Sequence, residues 1–430
     1  MGYTTRDHPK GPVCSPIAQL ASRRCRALRE DGRISGWQLA MLLTGFLIGT
    51  TTLIIPVGPA KESAWLSVLL AGVLGIGVAW LYTALGVRFP GETPFQYTPR
   101  VLGRWLGTLV VLFYLWLSFH LAALILRNLG ELYVVAIMVQ TPMGVFIGIL
   151  AALAAWIIRS GLEPVARLAE LLSPWLYLIM ILLDILTFAT PNLTHLENLL
   201  PLLPDGKFLP VIQGILPILA FPFAETFLFL VVIPFLVKPK KSFLPFALAM
   251  AFAALITSLV AFRNVAVLGA SEAERVNFPS LVAVQLINLG DFLQRLDALI
   301  IFMWTFAGFI KLCLPFYFLA LGLATLLKLK DYRPLVLPLG LLIAPFALHL
   351  FVSFPQMIQF TRIWPFYSLP ITILLPALTL MVAAVRGLRG QPAPLQRQAM
   401  KKTTGKAPQD ALTPGAVPGK RKTSSLRNRG

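Results

Sequence analysis

The stretch Ile218–Val231, "ILAFPFAETFLFLV", decides how this chain folds. It is apolar enough for a bilayer interior, yet a proline and a carboxylate fall near the middle of the longer run 211–236. A charge at that depth is costly unless it is paired, hydrated or protonated. Pro222 removes a backbone donor and frees a carbonyl, and Glu225 stands where the helix resumes. The stretch therefore reads as a broken helix facing a cavity, because irregular backbone is not tolerated against lipid. From there Glu225 can bind the ammonium of an amino acid, carry a proton, or tie two helices together.

The rest of the chain sets the context. Of 430 residues 57% are hydrophobic and 13% charged, against about a quarter charged in soluble domains, so the protein is integral to a membrane. The first 34 residues are polar and Arg-rich without a leader-like apolar core, and no cleavable signal is expected. Cys14, Cys25 and Cys313 form no disulfide framework or metal spacing. The formal charge of +19 is concentrated at the ends. The Pro-, Ser- and Lys-rich tail 391–430 reads as disordered and suits anionic lipid headgroups; no nucleic-acid partner is expected.

A spanning helix needs about 20 mostly apolar residues. Ten such segments fall near 35–56, 64–87, 105–128, 142–158, 171–190, 211–236, 243–268, 296–326, 334–353 and 366–385. The segments 1–34, 87–104, 159–170, 237–242, 327–333 and 386–430 hold 29 of the 37 Lys and Arg. By the positive-inside rule both termini are cytoplasmic, which requires an even number of spans. The other side carries longer connections, 192–210 and 269–295, each with room for a short helix along the surface. A lid over a site and a plain interfacial connector fit these equally.

The first span has a second interruption. Its centre, Gly49-Thr50-Thr51-Thr52, is small and polar, with Pro56 close behind. The first helix of the first five and the first helix of the second five are thus both broken, and with cytoplasmic ends the two halves run in opposite directions. That is an all-α, LeuT-like 5+5 inverted repeat with helices 1 and 6 broken. It divides the chain into a basic cytoplasmic N-terminus (1–34), a first repeat (35–190), an extracytoplasmic loop (191–210), a second repeat (211–385) and a basic cytoplasmic tail (386–430). "GVLGIG", Gly72–Gly77, lacks the Lys-Ser/Thr of a phosphate loop and is assigned to helix packing.

Other polar residues fall inside spans. In the eighth, Asp297, Trp304, Gly308 and Lys311 share one face; Lys311 is deep enough to pair with Glu225 or another carboxylate. Asp297 is nearer the end, where it can pair with Arg295. Tyr114 and His120 of the third span are candidate cavity-lining groups. Asp184 lies within the fifth span, and Arg127, Glu131 and Arg263 are expected near outer interfaces, where long side chains snorkel.

In order and spacing, "ISGWQLAMLLTGFLIGTTTLIIPVGPAKESAWLSVLLAG", "RFPGETPFQYTPRVLGRWLG", "NLLPLLPDG", "FPFAETFLFLVVIPFLVKPKK" and "LQRLDALIIFMWTFAGFIK" resemble the endospore germination permeases. These are the B subunits of GerA-type nutrient germinant receptors, in the amino acid–polyamine–organocation superfamily. The resemblance covers about Ile34–Arg386. It implies ten helices in the spore inner membrane, an A subunit with a large soluble domain, and a lipoprotein C subunit. It also implies that amino acids or other small nutrients bind between the broken first and sixth helices and the third and eighth. Carried over by position, the ligand-binding set is Gly49, Thr50 and Thr51, then Phe221, Pro222, Ala224 and Glu225, and Thr305. Ala224 stands where the family pattern has glycine, and its methyl would narrow the pocket or stiffen the break.

Two functions follow. One is a ligand-gated sensor, in which the nutrient shifts a two-state equilibrium by binding one state better. The alternative is a proton-coupled amino acid permease with Glu225 or Lys311 carrying the proton. Under either, Glu225→Gln is expected to reduce a ligand response while leaving insertion and fold intact. His8, His120, His195 and His349 lack metal-ligand spacing, and no cofactor, metal or catalytic activity is expected.

Overall fold

The computed structural model describes residues 33–49, 51–52, 58–203, 206–288 and 296–390. The Thr50 assignment, the proposed Arg295 partner and the terminal segments 1–32 and 391–430 lie outside them. Among the described residues eight helical stretches are long and apolar enough to cross a membrane. Two shorter apolar helices, Gly36–Gly49 and Arg333–His349, stand where the first and ninth spans are expected.

The chain opens with α1 (Gly36–Gly49), whose start is fixed by a reciprocal cap. Gln38 N–H donates to Ser35 Oγ (3.0 Å), and Ser35 N–H donates to the Gln38 side chain (2.9 Å), closing two of the donors a helix leaves open. From Met41 onward every residue of α1 is buried. The helix ends at Gly49, and Thr51 and Thr52 lie in a turn. Next come α2 (Ala64–Arg88), the short α3 (Pro94–Leu102), α4 (Arg104–Ala136), α5 (Met143–Ser160) and α6 (Leu162–Ala189). The helix α3 belongs to a segment assigned above to a connection; it folds because Gln96 reaches back to the Thr93 N–H (3.0 Å) and Pro94 occupies the first turn.

The second half opens with the interrupted span. Its parts are α7 (Leu209–Ile218), a wide π turn (Leu219–Phe223) and a tighter 3-10 segment (Ala224–Val231). Then follow α8 (Phe243–Arg275, with a kink at Gly269), α9 (Pro279–Gln285), α10 (Asp297–Leu326) and α11 (Arg333–His349). The tenth span is α12 (Phe354–Leu369), a π turn (Pro370–Leu374) and α13 (Leu375–Val385). It begins a dozen residues before the sequence expectation, because Pro355, Pro365, Gln356, Gln359 and Arg362 depress the apolarity of its first turns.

At the centre, α1 packs against α6, α8 and α10, and α4 lies along α10. Trp156 of α5 and Leu341 and Leu342 of α11 point outward and exposed, an apolar exterior suited to lipid. On the basic side, Ile34 N–H donates to the Phe235 carbonyl (3.1 Å) and Val237 N–H to the Ile34 carbonyl (3.0 Å). The start of the first span and the end of the sixth are thereby joined through backbone. Arg88 donates to the Leu388 and Ala383 carbonyls (2.9 and 2.8 Å) and Arg386 to that of Val101 (2.9 Å), fastening the same side to the last span.

Lipid tails give helices no hydrophobic reason to associate, so close contact depends on small residues. The seam between α2 and α8 has them: a Cβ built on Gly72 would lie 2.3 Å from Ala254 Cβ, whereas one on Gly77 meets nothing within 4 Å. The packing assignment of "GVLGIG" thus holds at Gly72. Gly72→Ala is expected to cost about 1–3 kcal/mol, read as a lower thermal midpoint in detergent. Gly77→Ala should leave the midpoint unchanged; equal effects would contradict the seam.

Candidate ligand site at the broken sixth span

The break forms because Phe221 is extended (φ −135°, ψ 111°) between helical neighbours, ahead of Pro222. Carbonyls released there need donors. Tyr82 of α2 supplies one, its hydroxyl lying 3.0 Å from the Ala224 carbonyl and 2.7 Å from that of Thr372 in the tenth-span π turn. One phenol therefore tethers both irregular spans. Tyr82→Phe removes the single proton that these two buried carbonyls share and is expected to lower stability by about 1–3 kcal/mol. A thermal midpoint equal to wild type would show that the carbonyls have other partners.

Just past the break, Glu225 Oε2 lies 2.8 Å from Lys311 Nζ of α10, and both side chains are essentially unexposed (1% and 0%). The pairing raised from the sequence is present. The contact has the length of a charge-assisted hydrogen bond, and the other carboxylate oxygen, Oε1, has no hydrogen-bond partner among the described residues. Lys311 Nζ also lies over two rings, 4.2 Å from the centroid of Phe221 and 5.0 Å from that of Phe46, within cation–π range.

Phe221 and Glu225 line a cavity of about 60 Å³, room for several water-sized groups at about 10–15 Å³ each. Its other walls are Leu121, Leu124, Ile125 and Asn128 of α4, Pro217 of α7, and Met357, Phe360, Thr361 and Trp364 of α12. These come from the halves of the spans remote from the Lys- and Arg-rich connections. The lining is apolar except for Glu225, Thr361, Asn128 Oδ1 and Trp364 Nε1; the last two are buried atoms without hydrogen-bond partners among the described residues.

The other sequence candidates sit elsewhere. Gly49 is buried against α10, where a Cβ would lie 2.8 Å from the Ala307 carbonyl and 3.2 Å from Lys311 Cβ. That close approach seals the first span against the eighth, so the cavity lies between the third, sixth and tenth spans. Thr51 donates back to the Leu47 carbonyl (2.6 Å). Ala224 is buried and contributes its carbonyl to Tyr82, and Pro222 is buried beside it. Thr305 bonds Tyr133 of α4 (2.8 Å) and the Ile301 carbonyl. Tyr114 packs on Phe227. His120 touches the Tyr367 hydroxyl (3.1 Å) within a cluster of Trp116, Phe346, Phe360 and Trp364. Neither Tyr114 nor His120 lines the cavity. Asp297 accepts from the Ala298 N–H (3.0 Å) at the exposed start of α10, as expected of a carboxylate at a helix N-terminus.

A second polar cluster corrects the snorkelling assignment. Arg263 Nη1 of α8 donates to Asp184 Oδ1 of α6 at 2.7 Å, both side chains only 2% exposed. Arg263 also reaches Asn264 Oδ1, Asn264 donates to Ser280 of α9 (2.8 Å), and Ser280 donates to the Thr52 carbonyl (2.8 Å). Trp304 of α10 completes the set by donating to Thr52 Oγ1 (3.0 Å). The broken end of α1 is thus held by four other helices. Arg127 and Glu131 likewise form a buried pair (2.7 Å), with Arg127 also donating to the Leu348 carbonyl (2.8 Å). Spacing could not reveal the Asp184–Arg263 pair, whose members lie on different spans, whereas Arg127 and Glu131 stand four apart on one helix.

Antiparallel halves with paired broken spans and a cavity at one break define a LeuT-type transporter fold. Solved structures share it. Mhp1, a nucleobase-cation-symport-1 family transporter with bromovinylhydantoin bound, aligns over 83% of this chain and 80% of its own at TM-score 0.59 and 13% identity. MhsT in complex with L-phenylalanine aligns over 83% and 90% at TM-score 0.61 and 13% identity. Within that fold the chain belongs to the spore germination permease family, whose model, described as spore germination protein, matches residues 33–379. Spore germination protein KB of Bacillus subtilis (strain 168) is 30% identical over 82% of this chain and 95% of its own length. Spore germination protein B2 of the same organism is 25% identical over 74% and 86%.

Proposed function

We propose that this chain is the membrane-embedded, nutrient-sensing subunit of a spore germinant receptor, and that its ligand, an amino acid or similar small nutrient, binds in the cavity beside Glu225. The observation that carries the reading is a carboxylate with unfilled hydrogen-bonding capacity at a helix break, opening onto an apolar cavity. An amino acid has the matching parts, an ammonium for Glu225 and an apolar body for Leu121, Leu124 and Met357. MhsT, similar in fold, was solved with L-phenylalanine, which supports the ligand class. On this reading the spans lie in the spore inner membrane with the basic side cytoplasmic, and A- and C-type subunits relay the change of state.

The test is a panel of the common amino acids added to purified protein. Thermal unfolding is followed in detergent, and uptake in proteoliposomes with and without a proton gradient. Stabilisation by one or a few amino acids without accumulation is expected. Gradient-driven accumulation would establish the proton-coupled permease instead, and no stabilisation by any of them would remove the nutrient reading.

A further inference from the structure

The surroundings of Lys311 are those of a receptor for a primary ammonium. A carboxylate oxygen stands at 2.8 Å, and the rings of Phe221 and Phe46 offer their faces at 4.2 and 5.0 Å. Solvent does not reach the side chain. Carboxylate plus aromatic faces is the chemistry that selects organic ammonium ions. Here the occupant is the chain's own lysine. Glu225 and Phe221, two of the three walls of this box, are also walls of the open cavity.

We propose that Lys311 is a tethered occupant of an ammonium site, and that a ligand bearing an ammonium binds by taking Glu225 and Phe221 over from it. This rests on the reading of the cavity as the nutrient site. A tethered competitor acts at the high effective concentration typical of short linkages. The ligand's apparent affinity is then scaled by the fraction of molecules in which the lysine has left. A bare ammonium ion cannot displace it; the difference has to come from apolar contacts with Leu121, Leu124, Ile125, Met357 and Phe360. The stem of the lysine is itself part of the contact between α1 and α10, since a Cβ on Gly49 would lie 3.2 Å from Lys311 Cβ.

The experiment uses Lys311→Ala, which empties the box, Lys311→Met, which fills it with an uncharged chain, and n-propylammonium chloride as the probe. Thermal midpoints are measured in detergent against sodium chloride at equal concentration. Lys311→Ala is expected to unfold earlier than wild type and to recover several degrees with propylammonium but not with sodium. Wild type and Lys311→Met should respond equally to both salts. A Lys311→Ala protein indifferent to the choice of salt, or a Lys311→Met protein that recovers as well, would overturn the proposal. If Lys311→Ala yields no folded protein alone, the readout becomes the yield of folded protein extracted with propylammonium against sodium, and equal yields overturn it. The nutrient reading fails separately: recovery by propylammonium with no amino acid response in wild type would leave the box and remove the nutrient.

Discussion

Replacing Asp184 with alanine is expected to destabilise the protein by about 3–5 kcal/mol, the cost of leaving a buried partner charge uncompensated. Arg263, 2% exposed, would keep among the described residues only the Asn264 amide oxygen. The damage should spread, because Asn264, Ser280 and the Thr52 carbonyl are arranged in series behind it. The measurement is the thermal midpoint in detergent of Asp184→Ala beside the double variant Asp184→Leu with Arg263→Met. Removing both charges for apolar groups of similar volume is often neutral or stabilising, so the double variant should unfold near wild type. A single variant as stable as wild type would mean that the guanidinium finds water or another acceptor, and that the pair does not hold the end of α1.

Glu225→Gln is expected to abolish the response to the nutrient and to destabilise the fold. The sequence alone suggests that the fold is spared, but Lys311 at 2.8 Å changes the expectation. An amide cannot neutralise it, and the loss should again be about 3–5 kcal/mol. The double variant Glu225→Gln with Lys311→Met separates the two effects. It should recover most of the thermal stability and none of the ligand response, measured as amino-acid-induced stabilisation. Hydrogen bonds to a charged group contribute about 1.5–3 kcal/mol, so a response that survives should need at least tenfold more ligand. An unchanged dose dependence in the stable double variant would remove Glu225 from the site.

The interruption of the sixth span is legible because proline and carboxylate each leave a local mark: Pro222 forbids a regular helix, and Glu225 is out of place among phenylalanines. Gly72 is legible only in part: the sequence marks glycines of this helix as packing candidates, but nothing local separates Gly72, which meets Ala254, from Gly77, which meets nothing. Partnerships are harder. Asp184 and Arg263 each stand toward one end of an apolar run, where snorkelling explains a single charge adequately; only the packing of α6 on α8 turns them into a pair. The α12 wall of the cavity escaped for a different reason. Residues 354–364 carry two glutamines and an arginine, so a hydropathy window begins the tenth span after them. Three prolines in "WPFYSLPITILLPA" were the available sign that this span, too, is irregular. Tyr82 carried no sign at all, since nothing local distinguishes a phenol that bonds two distant carbonyls from one that only packs.

The two backbone hydrogen bonds between Ile34 and the segment Phe235–Val237 have a mechanical consequence. They rivet the near ends of the two interrupted spans, while the breaks lie farther along each. Such a pair works like tweezers closed at the base: a load applied between the arms splays their far ends and cannot slide one arm past the other. A solute arriving at the sixth-span break would therefore be felt as a change of spread on the face remote from the basic connections, with the riveted end as the fixed reference.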